Sequence, residues 1–143
     1  MTDQPSPAAA GAIHYLNPET LHANPAFTQV VVAGGPVKTV YVGMQCAVDG
    51  AGRIVGRGDI GAQTEQVLKN VEACLAAAGA KPEHLVTWTI CLVQGQPIET
   101  AAAVGLRWWG NRPNPPANTI VVVAALTRPE FLIGIDAIAV VPE

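Results

Sequence analysis

The sequence predicts a single α+β domain, a mixed sheet with two helices packed on one face. Two observations point there. Runs of β-branched residues alternate with two segments of helical periodicity, in the order strand, strand, helix, strand, helix, strand, strand. The chain has 143 residues, about one domain's worth, with no internal repeat and no second core. Half of the residues are hydrophobic and only 13% are charged, against a usual share of about 25%, which excludes intrinsic disorder.

Residues 1–12, rich in Pro, Ala and Ser, read as a mobile lead-in to a domain spanning 13–143. Thr28 to Ala33 and Thr39 to Val48 are β-branched runs joined by Gly34-Gly35-Pro36, so they are expected to form a hairpin. Asp59 is placed to cap a helix from Ile60 to Ala78, whose stripe is Val67, Val71, Cys74, Leu75 and Ala78, and Gly79 stops it in the left-handed conformation. Leu85 to Val93 is a strand. Pro97 opens a second helix with an expected buried stripe of Ile98, Ala102, Leu106 and Trp109. The three prolines of the Arg112–Pro116 stretch impose an extended connector. Two apolar strands follow, Thr119 to Leu126 and Phe131 to Val141. Such strands are apolar on both faces, and two helices cannot cover both faces of a five-stranded sheet, so other subunits are expected to cover the rest.

Charge excludes several classes of function. Eight basic and 11 acidic residues give a net charge of −3 with no Lys/Arg run, so nucleic acid is not an expected partner. The longest apolar stretch is far below the roughly 20 residues of a bilayer helix, so no membrane partner is expected. The N-terminal segment lacks the basic start and apolar region of a secretory signal, and a cytoplasmic location is expected. Cys46, Cys74 and Cys91 share no metal-ligand spacing and read as small buried hydrophobes. His14, His22 and His84 are scattered in linkers, and His14 with Tyr15 could fold over a cleft mouth. No metal site, cofactor, phosphate loop or Ser-His-Asp set is expected.

Four motifs carry a family resemblance over Asn17 to Glu143. Val40-Tyr41-Val42-Gly43-Met44-Gln45 resembles a strand that usually ends in Ser-Gly-Gln, and Gly58-Asp59-Ile60 with the segment Gln63 to Val71 resembles a hallmark helix. Pro116-Ala117-Asn118-Thr119 and the segment Ile135 to Val140 resemble the last two motifs. The chain is similar to the RidA (YjgF) family. The resemblance implies a chorismate-mutase-like fold, a barrel-like homotrimer and small-molecule clefts between subunits. It also implies hydrolysis of reactive enamines and imines to a carbonyl compound and ammonia.

The residues at the family's working positions differ. The Arg that pairs with the substrate carboxylate matches Asn118, and the Glu that handles water or a proton matches Gly134. The cleft Tyr matches Phe27, the Ser of Ser-Gly-Gln matches Gly43, and a Cys two residues beyond the Arg matches Ile120. A neutral amide in place of a bidentate guanidinium forfeits about 1.5–3 kcal/mol toward a carboxylate, so a small anionic imino acid is not the expected substrate.

Two readings therefore compete. In the first, an imine or enamine hydrolase uses Asn118 and Asp136 as catalytic groups, with Thr119, Gln45, Phe27, Gly43, Gly134 and Ile120 lining the substrate site. Asp136 lies two residues beyond Gly134, on the same strand face and about 7 Å away. In the second, the trimer binds a small metabolite or regulates a partner without catalysis, a reading motivated by the loss of both the Arg and the Glu. Trp109 is expected in the core, Trp108 occupies one of a pair of positions usually held by Phe, and Arg128 is expected to be exposed within reach of a neighbouring subunit.

Overall fold

The most buried strand, Ile133–Pro142, lies inside the sheet, where it is paired on both edges. The computed structural model describes residues 10–143. Its strands are β1 (Ala12–Leu16), β2 (Val30–Gly34), β3 (Val37–Gln45), β4 (Leu85–Val93), β5 (Ala117–Val123) and β6 (Ile133–Pro142). The helices are α1 (Ile60–Ala77) and α2 (Ile98–Trp109), with a single 3-10 turn at Pro82–His84. One sheet has the order β3-β6-β4-β5, and β1 pairs with β2 in a separate two-stranded ribbon. Only β4 and β5 run parallel, and α2 is the crossover that a parallel pair requires.

The mixed sheet with two helices agrees with the expectation, but the sheet has four strands rather than five, and two further details differ. The expected hairpin between the Thr28–Ala33 and Thr39–Val48 segments does not form: β2 pairs with β1, from Ala12↔Gly34 to Leu16↔Val30, while β3 pairs with β6. Gly35, at φ 73°, and Pro36 lead the chain from one sheet into the other, and Pro36 O accepts the backbone N–H of Glu143. The sixth strand, β1, was not expected and overlaps the expected lead-in only at Ala12. Its few residues carry no period, and only pairing with a strand some 18 residues away makes them a strand. The predicted lead-in falls on 1–12; residues 1–9 lie outside the described residues, and Gly11 N–H donates to Glu143 O.

α1 follows the prediction. Asp59 accepts from Ala62 N at 3.1 Å, Gly79 is left-handed at φ 71°, and Val67, Leu68, Val71 and Leu75 are buried against the sheet. Each such side chain contributes about 1.5–3 kcal/mol by leaving water. Two polar residues on α1 were not foreseen as structural. Gln63, fully buried, donates to Gly56 O and Glu130 O and accepts from Leu132 N at 2.9 Å, so it ties the helix to the loop before β6. Asn70 Nδ2 donates to Cys46 O at 3.0 Å and Val48 O at 2.9 Å, which fixes the exit of β3.

The expected stripe of α2 is corrected. Ala101, Val104 and Trp109 are its buried residues, whereas Ile98 is 43% exposed, Leu106 is 55% exposed and Ala102 is exposed. The helix is apolar almost all round, so its period cannot say which side faces inward. Packing against α1 selects the Ala101/Val104 side and leaves Ile98, Ala102 and Leu106 at the rim of a hollow.

Candidate small-molecule pocket

Strand register decides which candidate residues can meet. Trp88 of β4 lies opposite Asn118 on β5 and Ala137 on β6, and Ile90 lies between Ile120 and Ile135. Thr89 lies between Thr119 and Asp136, and Cys91 between Val121 and Gly134. Residues in register share a face and successive residues alternate. Asn118, Ile120, Trp88 and Ile135 therefore point to the helix side, and Thr119, Gly134 and Asp136 point to the open side. Asn118 and Asp136 of one chain lie on opposite faces of the sheet. The sequence placed them in one site, but one chain does not bring them together.

On the helix side, a pocket of about 130 Å³ lies between α2 and the sheet. Its walls include Trp88, Ile90, Asn118, Ile120, Ile98, Leu106 and Trp109, closed by Pro25 and Ala26 from the segment before β2. None of its wall residues is titratable. Two buried polar atoms on its lining residues have no hydrogen-bond partner among the described residues, the indole Nε1 of Trp88 and the amide Oδ1 of Asn118. Thr28 holds the lip in place, its hydroxyl donating to Pro115 O and its N–H to Pro116 O at 3.3 Å.

The other expected site residues are distributed as follows. Ile120 lines the pocket, 45% exposed at its mouth. Phe27 is not part of the wall; it packs edge-on against His22 with ring centroids 6.2 Å apart. Gln45 donates to Gly43 O at 3.1 Å, within its own strand. Thr119 is exposed on the open face. His14 is exposed on β1, and the Tyr15 hydroxyl donates to Glu83 O at 3.4 Å, so neither residue covers the pocket. Trp108 donates to Glu72 at 2.7 Å, and Arg128 lies over the ring of Phe131. Trp88 was missed as a site residue, although strand alternation set it beside Ile90 and Leu92. Its register with Asn118 is what makes it part of the site.

The open face has its own chemistry. Gly43 and Met44 together oppose the single residue Asp136, a β-bulge between Val42↔Ala137 and Gln45↔Ile135. The bulge sends the Met44 thioether over Gly134. Cys46 and Cys91 flank the same glycine, neither is disulfide-bonded, and both are half-buried rather than fully buried as expected. Burial raises the Cys46 thiol above its ordinary value, and neighbouring Cys91 adds to it; burial raises the Cys91 thiol, with the Asp136 charge adding. Among the described residues, no group of three or more His, Cys, Asp or Glu could hold a metal ion. No helix of the described chain is long and apolar enough to cross a membrane.

A four-stranded mixed sheet with a crossover helix and a pocket between them places the chain among small α+β domains. Comparison with known proteins specifies it further. The family described as Endoribonuclease L-PSP matches residues 18–141. Protein DfrA of Myxococcus xanthus is 36% identical over 103 residues, covering 72% of this chain and 76% of that protein. RutC family protein PH0854 of Pyrococcus horikoshii is 30% identical over 113 residues, covering 79% and 85%. Among solved structures, the Rid family protein YyfB of Yersinia pestis superposes with a TM-score of 0.79 at 34% identity, covering 89% of this chain and 97% of that one. The YjgF gene product of E. coli superposes at 0.64 with 30% identity, covering 71% and 80%. The chain belongs to the RidA (YjgF) family.

Proposed function

We propose that this chain is a non-catalytic small-molecule-binding member of its family, with the pocket around Asn118 as the binding site. The observation that carries this reading is that Asn118, at the position matching the family's cation, lines a pocket whose walls hold no titratable group. Imine hydrolysis needs a group that moves a proton to or from water or nitrogen. Asn118 cannot do so, and Gly134 carries no side chain. The test generates iminopropionate and bulkier neutral imines in situ and follows carbonyl release with and without protein. Rates should match the uncatalysed control, whereas stoichiometric excess turnover would overturn the reading.

One observation favours hydrolysis as a second reading. Asp136 is a half-buried carboxylate on the open face and takes part in none of the ion pairs among the described residues. In a homotrimer of the kind the family resemblance implies, the open face of one copy could meet the Asn118 face of another. Hydrolysis lost in Asp136→Asn, with assembly intact, would establish this second reading in place of the first.

A further inference from the structure

We infer that the Asn118 pocket selects an uncharged ligand carrying a hydrogen-bond acceptor and donor side by side, a carboxamide or lactam, on a compact apolar body. This inference rests on the reading of the pocket as a binding site and specifies what it binds.

The argument begins with the two orphaned atoms. Trp88 is 8% exposed, and its indole N–H has no partner; Asn118 Oδ1 is buried and has none either. An unpaired buried polar group costs roughly 1–3 kcal/mol, so folded proteins rarely leave two in one hollow without a use for them. An indole N–H only donates and an amide oxygen only accepts. Trp88 and Asn118 are direct register partners on adjacent strands, so the two side chains leave neighbouring backbone positions on one face. A group complementary to both presents an acceptor to Trp88 and a donor to Asn118, and a carboxamide has both on one planar unit.

The remaining walls restrict the rest of the ligand. Ile90, Ile98, Leu106 and Ile120 are apolar, and the pocket residues include neither Lys nor Arg. A carboxylate entering here would leave water with no cation to meet it, which costs more than a neutral amide pays for the same transfer. A 150 Å³ apolar cavity holds benzene, so about 130 Å³ with an open mouth suits a body of one small ring.

The test uses the whole protein in its native assembly with benzamide, benzoate and toluene as probes, measured by ligand-observed NMR and calorimetry. Benzamide should bind saturably with a Kd of roughly 0.1–5 mM, within the range for a ligand of its size. Benzoate should bind at least about tenfold more weakly. Asn118→Leu should weaken benzamide by about tenfold, leave toluene unchanged and raise the Tm, because it removes an unpaired buried oxygen. Trp88→Phe should repeat the loss from the donor side; if that variant fails to fold, Asn118→Leu decides alone. Absence of saturable benzamide binding up to about 20 mM, well above the range expected for such a fragment, would overturn the inference, as would equal binding of benzoate or indifference to Asn118→Leu. Imine turnover by the native protein would overturn the non-catalytic reading alone and leave the preference for a neutral ligand standing.

Discussion

The Met44 thioether stands where a side chain on Gly134 would have to go: a Cβ at Gly134 would lie 2.7 Å from Met44 Sδ and 2.9 Å from its Cγ. The two positions have exchanged volume. Where the family resemblance sets a glycine on the third strand and a glutamate on the last, this chain has Met44 and Gly134, and the space on the open face stays filled.

That exchange is testable as a coupling. Gly134→Ala should cost about 1 kcal/mol, since the contact is with the movable end of a half-exposed methionine, and the cost should vanish in a Met44→Ala background. Urea denaturation of the four proteins of this cycle measures it. For the same reason, rebuilding the family's chemistry needs three changes. Asn118→Arg with Gly134→Glu should stay inactive on iminopropionate while Met44 fills the space, and adding Met44→Gly should bring hydrolysis above the uncatalysed rate.

Gln63 is the buried pin between α1 and the entry to β6. Gln63→Leu keeps the volume but strands Glu130 O and Leu132 N and leaves Gly56 O with only its bond from Asp59 N–H, and should cost about 2–3 kcal/mol in chemical denaturation. Asn70→Ala, which removes one hydrogen bond from each of two carbonyls just beyond β3, should cost about 1–2 kcal/mol. A loss below about 0.5 kcal/mol in either, well short of the usual cost of stranding such groups, would show that water replaces these bonds.

Arg112 closes the end of α2. Its Nε meets Glu83 at 2.7 Å, its Nη1 donates to the carbonyls of Trp108 and Trp109, and its guanidinium lies 5.4 Å from the Trp108 ring centroid. A lysine keeps the charge but cannot make the fork or the stack. Arg112→Lys should therefore lose most of what Arg112→Ala loses, about 1–2 kcal/mol, read from thermal unfolding at matched salt.

The raised thiols set a pH dependence. A thiol held neutral in the fold ionises first in the unfolded chain, so its contribution is fully present below the ordinary thiol value. It is lost as pH rises through the raised folded value. Between pH 7.5 and 10 the native protein should therefore lose more stability than the Cys46→Ala/Cys91→Ala variant, measured as the shift in urea midpoint. Because the Asp136 charge adds to the rise at Cys91, Asp136→Asn should speed alkylation of Cys91 by iodoacetamide at pH 8, quantified by mass spectrometry.

Local signals in the sequence were sufficient for α1, β4 and the presence of the last two strands, because caps, period and alternation are properties of a few consecutive residues; β5 nevertheless spans Ala117–Val123 rather than Thr119 to Leu126, since its ends are set by pairing with β4. They also showed that the positions matching the family's Arg and Glu hold Asn118 and Gly134. They could not show β1, whose five residues become a strand only through β2, nor the rotation of α2, whose apolar residues run almost all the way round.

By itself the sequence determined the α+β class, the helix boundaries, the shortage of charge and the missing cation at position 118. Only the tertiary structure decided that Asn118 and Asp136 face opposite sides of one sheet, that Trp88 joins Asn118 in a pocket and that Met44 fills the space over Gly134. The reason is geometric: side-chain alternation along one strand is local, but register between strands distant in the chain is set by packing, and register determines which residues share a site.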